Sequence, residues 1–331
     1  MVPPNRRRGQ PGALDQGRAR MSPVVRSPRQ SAPRRAQWHR REDGVGRLML
    51  LPALLPYLAF ALLPIGWLFW FSFQRWNGFS APRFTGLANY ERMIGDEQWW
   101  LAVLNTVKFG FGRLVIEIPL ALVLAYVFFR GVRGGTVYRT ILFLPHVLSP
   151  AIVGIIFVFL LRETGGPVNQ LLTGSGLLEA PIRFLGEAGA ALGSLIGVGV
   201  WAHLGINLLL FFAGMMTIPN ALLESAALEG AGHWATLRHI VLPMLAPVTR
   251  VVILISIIGT LRSFDLVKTL TDGGPAGSTE VMFTYLYRFF FEPESVPQIG
   301  YAAALGVTAS VIVGIISVAY LRINRSGRTA A

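Results

Sequence analysis

The 331-residue sequence contains no cysteine. Disulfides, thiol nucleophiles and thiolate metal sites are therefore excluded. Lysine is almost as scarce, with only Lys108 and Lys268. Neither follows the G-x-x-x-x-G segment of a phosphate-binding loop, so ATP hydrolysis is not expected of this chain. Charged residues of both signs make up 14% of the sequence. Glu117 is the one acidic residue well inside a long apolar stretch. No His, Asp and Glu group has the spacing of a metal site. No hydrolytic triad is legible either. The expectation is thus a chain with no catalytic residue, no metal and no cofactor bound to it.

Apolar residues are abundant, at 53%, with a mean hydropathy of +0.51. That exceeds what a soluble domain of this length can bury. Several runs approach the roughly 20 residues needed to cross about 30 Å of hydrocarbon. The pattern reads as an all-α polytopic membrane protein with six spans, at 48–73, 107–129, 141–161, 191–216, 247–264 and 299–321. The first carries Pro52, Pro56 and Pro64, which membrane helices tolerate, and ends at Trp67, Trp70 and Trp76 as interface anchors. The fifth is the weakest, purely apolar only over 251–258.

The formal charge of +13 is concentrated at one end. Residues 1–47 hold twelve arginines against Asp15, Glu42 and Asp43. No aromatic stacking platform accompanies them, which argues against nucleic acid. The segment is too long and too rich in Pro and Arg for a secretory signal. Residues 1–46 read as a disordered basic cytoplasmic tail that orients the first helix or meets anionic headgroups. The membrane domain is expected at 47–323 and a short cytoplasmic tail at 324–331. With both termini inside, the inner segments carry 20 basic residues and the outer ones nine. Basic excess in cytoplasmic loops sets that orientation.

Between the fourth and fifth spans lies a polar, helix-forming insert at about 217–247. It contains Glu224-Ser225-Ala226-Ala227-Leu228-Glu229-Gly230-Ala231 and then Ile240-Val241-Leu242-Pro243. Alanines favour a helix, and Glu224 near its start would complement the helix dipole. Gly230 permits a turn, and Pro243 and Pro247 restart the chain. Taken alone, this could be an amphipathic linker. The order and spacing resemble the EAA loop of the inner-membrane permease subunits of binding-protein-dependent ABC importers. Ser225 departs from that pattern, and Glu229 stands where the family often has Asp.

Other segments share the resemblance, which covers about residues 45–323. Asn105-Thr106 opens the permease domain. Gly166-Pro167-Val168-Asn169-Gln170-Leu171-Leu172 resembles an outer loop, and Trp201, Gly205 and Ile218-Pro219 lead into the insert. Leu270-Thr271-Asp272-Gly273-Gly274-Pro275, with Ser278-Thr279 and Tyr285-Leu286-Tyr287-Arg288, is similar to the T-x-G-G-P segment of the sugar-transporting branch.

The resemblance implies a type I ABC importer permease fold in a bacterial inner membrane. It implies a second, homologous permease as heterodimer partner, a dimer of ATP-binding subunits holding ATP and Mg, and an extracytoplasmic solute-binding protein. It implies that Glu224, Ser225, Ala226, Glu229, Gly230, Ala231, Leu242 and Pro243 meet the ATP-binding subunit. The cargo implied is a carbohydrate: a sugar, an oligosaccharide, a polyol or glycerol phosphate.

Polar groups within a span mark pathways by default. Ser256, Thr260 and Ser263 share one helical face beside Gly259, and His203 and Asn207 share another. Each face suits a sugar path or close helix packing. Arg113 and Glu117, four apart, read as a structural ion pair or a proton relay. The relay would make the chain an ion-coupled secondary transporter, a class that usually has internal repeats, and none are seen here.

Overall fold

The computed structural model describes residues 49–261, 263–292 and 296–326. The basic segment 1–46 and most of the C-terminal tail lie outside those residues. Residues 49–58 form a unit of their own, helical and exposed. The second unit begins at Ala59.

The described residues are mostly helical, with a single two-stranded hairpin. Four helices are long and apolar enough to cross a membrane: α1 (Met49–Phe71), α3 (Glu97–Phe129), α7 (Ala188–Met215) and α13 (Ile299–Ser326). A short hairpin, β1 (Gln74–Arg75) with β2 (Arg83–Phe84), and α2 (Ala88–Ile94) separate α1 from α3. Two further candidates are bent pairs. The first is α4 (Gly135–Val147) with α5 (Pro150–Leu160), bent by 99°. After α6 (Pro167–Gly174), α7 and α8 (Asn220–Leu228) comes the second, α9 (His233–Met244) with α10 (Ala246–Leu261), bent by 72°. The chain between α10 and α13 forms α11 (Asp265–Leu270) and α12 (Met282–Phe291). Counting each bent pair once gives up to six candidate spans, the number expected from the sequence.

Three expectations need correction. The span at 141–161 is not one helix, because Leu148 turns to extended backbone and Ser149-Pro150 starts a new helix. The residue before a proline is pushed out of the helical region, so the break has a local cause. The fifth helix stops at Leu261, so Ser263 lies beyond it. The second span is also longer than 107–129. Asp96 caps it ten residues earlier, its carboxylate accepting from the Trp99 N–H at 3.2 Å.

In lipid, apolar surface alone does not drive helices together, so close packing must. Small residues supply it here. A side chain at Gly205 would overlap the Leu142 carbonyl, which lets α4 lie on α7. Gly154 of α5 admits Thr269 of α11 in the same way. Three apolar clusters result. One joins α3, α7, α9 and α10 through Ala125, Leu208, Phe211, Met215, Val241 and Val252. A second joins α3, α5, α7 and α11 through Phe109, Val153, Leu195 and Val267. The third holds Trp99, Met282, Tyr301 and Leu305 together at the α3, α12 and α13 contact.

Candidate functional site: the α8–α9 loop and the buried polar cluster

The insert between α7 and α10 is a folded element. Pro219 has extended backbone and fixes the start of α8 at Asn220. Glu224 is therefore mid-helix, not near the helix start as the sequence suggested. The C-terminus of α8 is closed by two backbone bonds. The Ala231 N–H reaches the Ala226 carbonyl at 2.9 Å, and the Gly230 N–H reaches the Ala227 carbonyl at 3.1 Å. Those two bonds, with Gly230 at φ +79°, make a Schellman motif. Glycine is needed there because a side chain disfavours positive φ.

The loop is fixed to the membrane core. Tyr126 of α3 donates its hydroxyl to the His233 carbonyl at the first residue of α9, at 3.0 Å. Leu237, Val241 and Leu245 of α9 and the following bend are buried in the α3–α7–α10 cluster. Ala226 is buried as well. Glu224, Ser225, Glu229, Gly230, Leu242 and Pro243 are exposed, and Ala231 is half-buried. The loop thus offers an outward face on an anchored base. The sequence reading missed two large apolar residues on that face, Leu228 at 90% exposure and Trp234 at 72%. A leucine at the end of a helix and a tryptophan in the next turn were the available signal, since an exposed apolar pair on a polar loop marks a contact surface.

The second candidate lies deep in the bundle. Arg113 and Glu117 are both buried, and the Arg113 Nε–H donates to Glu117 Oε2 at 2.5 Å. Asn207 of α7 donates to Glu117 and to Ser256 Oγ of α10, the latter at 3.0 Å. The cluster therefore ties α3 to α7 through the Glu117 carboxylate and α7 to α10 through the Asn207 amide. Thr260 is buried too and turns its hydroxyl back to the Ser256 carbonyl at 2.8 Å. Gly259 is exposed whereas Ser256 and Thr260 are buried, so the small-residue floor does not lie on the buried face with those hydroxyls. Ser263 bonds to the Gly259 carbonyl at 3.3 Å. His203 is half-buried, its Nδ1–H donates to the Gly199 carbonyl at 3.1 Å, and it stands edge-on to His146 at 5.5 Å. The structure thus brings Asn207, Ser256, Arg113 and Glu117 together and leaves His203, Gly259 and Ser263 apart from them.

The other family-like segments turn out to pin one another. Asn105 donates to the Gly277 carbonyl at 3.0 Å, and Thr106 accepts from the Met282 N–H at 3.0 Å. The 271–281 turn is closed by Thr279, which donates to the Gly274 carbonyl and meets the Thr271 hydroxyl. Asn169 bonds both the N–H and the carbonyl of Ile182 at 2.9 Å. Burial pushes the Glu280 carboxyl above its ordinary range, against the Thr284 hydroxyl and the paired Arg288. Burial also acts on Asp96, but hydroxyls from Tyr301 and Tyr285 and the Trp99 and Gln98 N–H groups outweigh it and hold its pKa low.

Comparison with known proteins agrees with this architecture. A trehalose/maltose transport system permease protein, MalF, of Thermococcus litoralis is 30% identical over 289 residues, covering 87% of this chain and 96% of the relative. An arabinooligosaccharides transport system permease protein, AraP, of Bacillus subtilis is 31% identical over 284 residues, covering 84% and 88%. A chain of the bacterial alginate ABC transporter, crystallised in complex with an alginate pentasaccharide-bound periplasmic protein, superimposes with a TM-score of 0.75 at 25% identity. It covers 88% of this chain and 97% of its own. Residues 117–326 match the family described as "Binding-protein-dependent transport system inner membrane component". That match covers Glu117, Asn207 and Ser256 of the buried cluster, the anchored loop and the last helix, and the chain belongs to this family of ABC importer permeases.

Proposed function

We propose that this chain forms half of the membrane path of an ATP-driven importer for a carbohydrate delivered by an extracytoplasmic solute-binding protein. A second, homologous permease completes the path, and a pair of ATP-binding subunits supplies the energy. ATP and Mg sit on those subunits. Both termini face the cytoplasm, which places the α8–α9 loop on the same side as the ATP-binding subunits.

The observation that carries this reading is the build of that loop. A short helix closed by Gly230 is tied to α3 by Tyr126 and presents Leu228, Trp234, Glu224 and Glu229 outward. Such a part transmits force: its outer face takes a partner, and its base is continuous with α10 through the Leu245 bend. Movement of the ATP-binding subunit then shifts α10 relative to α3 and α7. His203, Gly259 and Ser263 are proposed to face the path. Asn207, Ser256 and Thr260 hold the helices that form it.

Carbohydrate as cargo rests on the relatives, whose names specify trehalose or maltose and arabinooligosaccharides, and on the T-x-G-G-P segment. Nothing favours an ion-coupled carrier. The Glu117 charge is matched by Arg113 and its second oxygen is held by Asn207, so the carboxylate is committed within the bundle.

The test is ATPase activity of the reconstituted complex with its binding protein, with and without a panel of oligosaccharides, for wild type and Gly230→Pro. Stimulation by one loaded binding protein, lost in the variant while the complex stays assembled, supports the reading. Full stimulation in an assembled Gly230→Pro complex contradicts the role given to the loop.

A further inference from the structure

Beyond the C-terminal end of α1, a cavity of about 590 Å3 opens between the β1–β2 hairpin, α2 and the start of α13. Its lining includes Arg75, Trp76, Asn77, Asn89, Arg92 and Gln298. Among the described residues no carboxylate lines the cavity, and Arg75 and Arg92 have no acidic partner. Arg75 also stands directly across the hairpin from Arg83. Like charges in that position are destabilising, so the pairing costs stability unless an anion lies near.

The cavity is rich in donors and poor in acceptors. Arg92 lies flat on Tyr301, 3.9 Å from the ring centroid, and gives one N–H to Gln298 Oε1 at 2.5 Å. Its remaining N–H groups, those of Arg75 and the Gln298 amide N–H are left for a ligand. The Asn77 carbonyl oxygen is taken by Phe79 and Ser80, and the Asn89 amide N–H by the Ser72 and Gln74 carbonyls. The first turn of the 28-residue α13 adds the positive end of a helix dipole. A neutral sugar, whose hydroxyls also need acceptors, fits this lining poorly. An anionic oxygen group fits it well.

The surroundings say where the anion comes from. The cavity lies where α1 ends and α13 begins, at the ends of two helices long and apolar enough to cross a membrane. Beside it the hairpin and the loop after it expose Phe79, Phe84 and Leu87, at 86%, 70% and 60%. Exposed aromatics flanking arginines at a span end are the arrangement that meets a membrane interface. We propose that this cavity binds the phosphate of an anionic phospholipid, with Arg75 and Arg92 on the headgroup and Phe79 and Phe84 against its acyl chains.

The full chain, in its complex, is purified from nanodiscs of equal parts phosphatidylglycerol and phosphatidylcholine, and retained lipid is counted by native mass spectrometry. Wild type is compared with Arg75→Gln and Arg75→Gln/Arg92→Gln. The basic N-terminal segment is present in all three, so differences report the cavity. The Arg75 side chain makes no hydrogen bond or ion pair among the described residues, so its single variant separates lipid binding from any folding defect at Arg92. Preference for phosphatidylglycerol should fall about thirtyfold in the double variant, on the order of two lost basic contacts, and less in the single one. Equal retention in all three overturns the proposal. So does displacement of the lipid by millimolar inorganic phosphate or glycerol 3-phosphate, which would assign the cavity to a soluble phosphate instead.

Discussion

The hydroxyl of Tyr126, near the end of α3, donates to the carbonyl of His233, the first residue of α9, across 107 positions of sequence. That bond joins a membrane helix to the surface loop and fixes where the loop sits. Tyr126→Phe removes the donor and keeps the ring. The expected loss is about 1 kcal/mol of stability, with the His233 carbonyl left for water. A lower thermal midpoint in detergent, with weaker stimulation of ATPase in the complex, is the outcome to look for. An unchanged midpoint together with unchanged stimulation would show the bond to be incidental.

Gly230 has open space around its α-carbon, so Gly230→Ala meets no steric obstacle. Its cost is conformational, about 1 kcal/mol for a residue with a side chain at φ +79°. Gly230→Asn should cost less, because Asn tolerates that region. The ranking Gly, Asn, Ala in co-purification with the ATP-binding subunit checks this. Equal recovery of all three would place the αL turn outside the docking surface.

The buried cluster predicts a strongly non-additive mutant cycle. Arg113→Met alone leaves Glu117 charged and buried, a loss of about 3–5 kcal/mol. Arg113→Met with Glu117→Leu removes both charges and should recover much of it. The comparison is made by unfolding in detergent. If the double variant is no better than the single, the two residues are not acting as a pair.

Asp96 predicts a pH dependence. Burial raises its pKa, but the hydrogen bonds from Tyr301 and Tyr285 and the Trp99 N–H leave the folded value below the ordinary 3.8. A depressed folded pKa adds stability above the unfolded value, and that stability is lost as pH falls through the folded value. Asp96→Asn should therefore lower the unfolding midpoint at neutral pH and flatten its decline below pH about 4. A variant that keeps the wild-type acid profile would remove Asp96 from the account.

Hydropathy made the long helices legible, because α1, α3, α7 and α13 each carry a long, predominantly apolar stretch. It did not show the break at Leu148, since the apolar run continues through a 99° bend and only Ser149-Pro150 betrays it. The i, i+4 spacing of Arg113 and Glu117 placed them on one face. Their meeting with Asn207, 90 residues away, depended on how α3 and α7 pack. The loop motif marked its own place, yet its outermost side chains, Leu228 and Trp234, fell between the motif positions. Asn105 and Thr106 were legible as a motif, but not as the residues that hold the 271–281 turn, because that contact spans more than 170 positions.

The most direct measurement of the central claim is oligosaccharide uptake into proteoliposomes holding the complete complex and its loaded binding protein. ATP is supplied on the loop side, with a proton gradient imposed or abolished. The account predicts uptake that requires ATP, is indifferent to the gradient and is lost in Gly230→Pro. Uptake by this chain alone, driven by the gradient without ATP, would contradict it and return attention to Arg113 and Glu117.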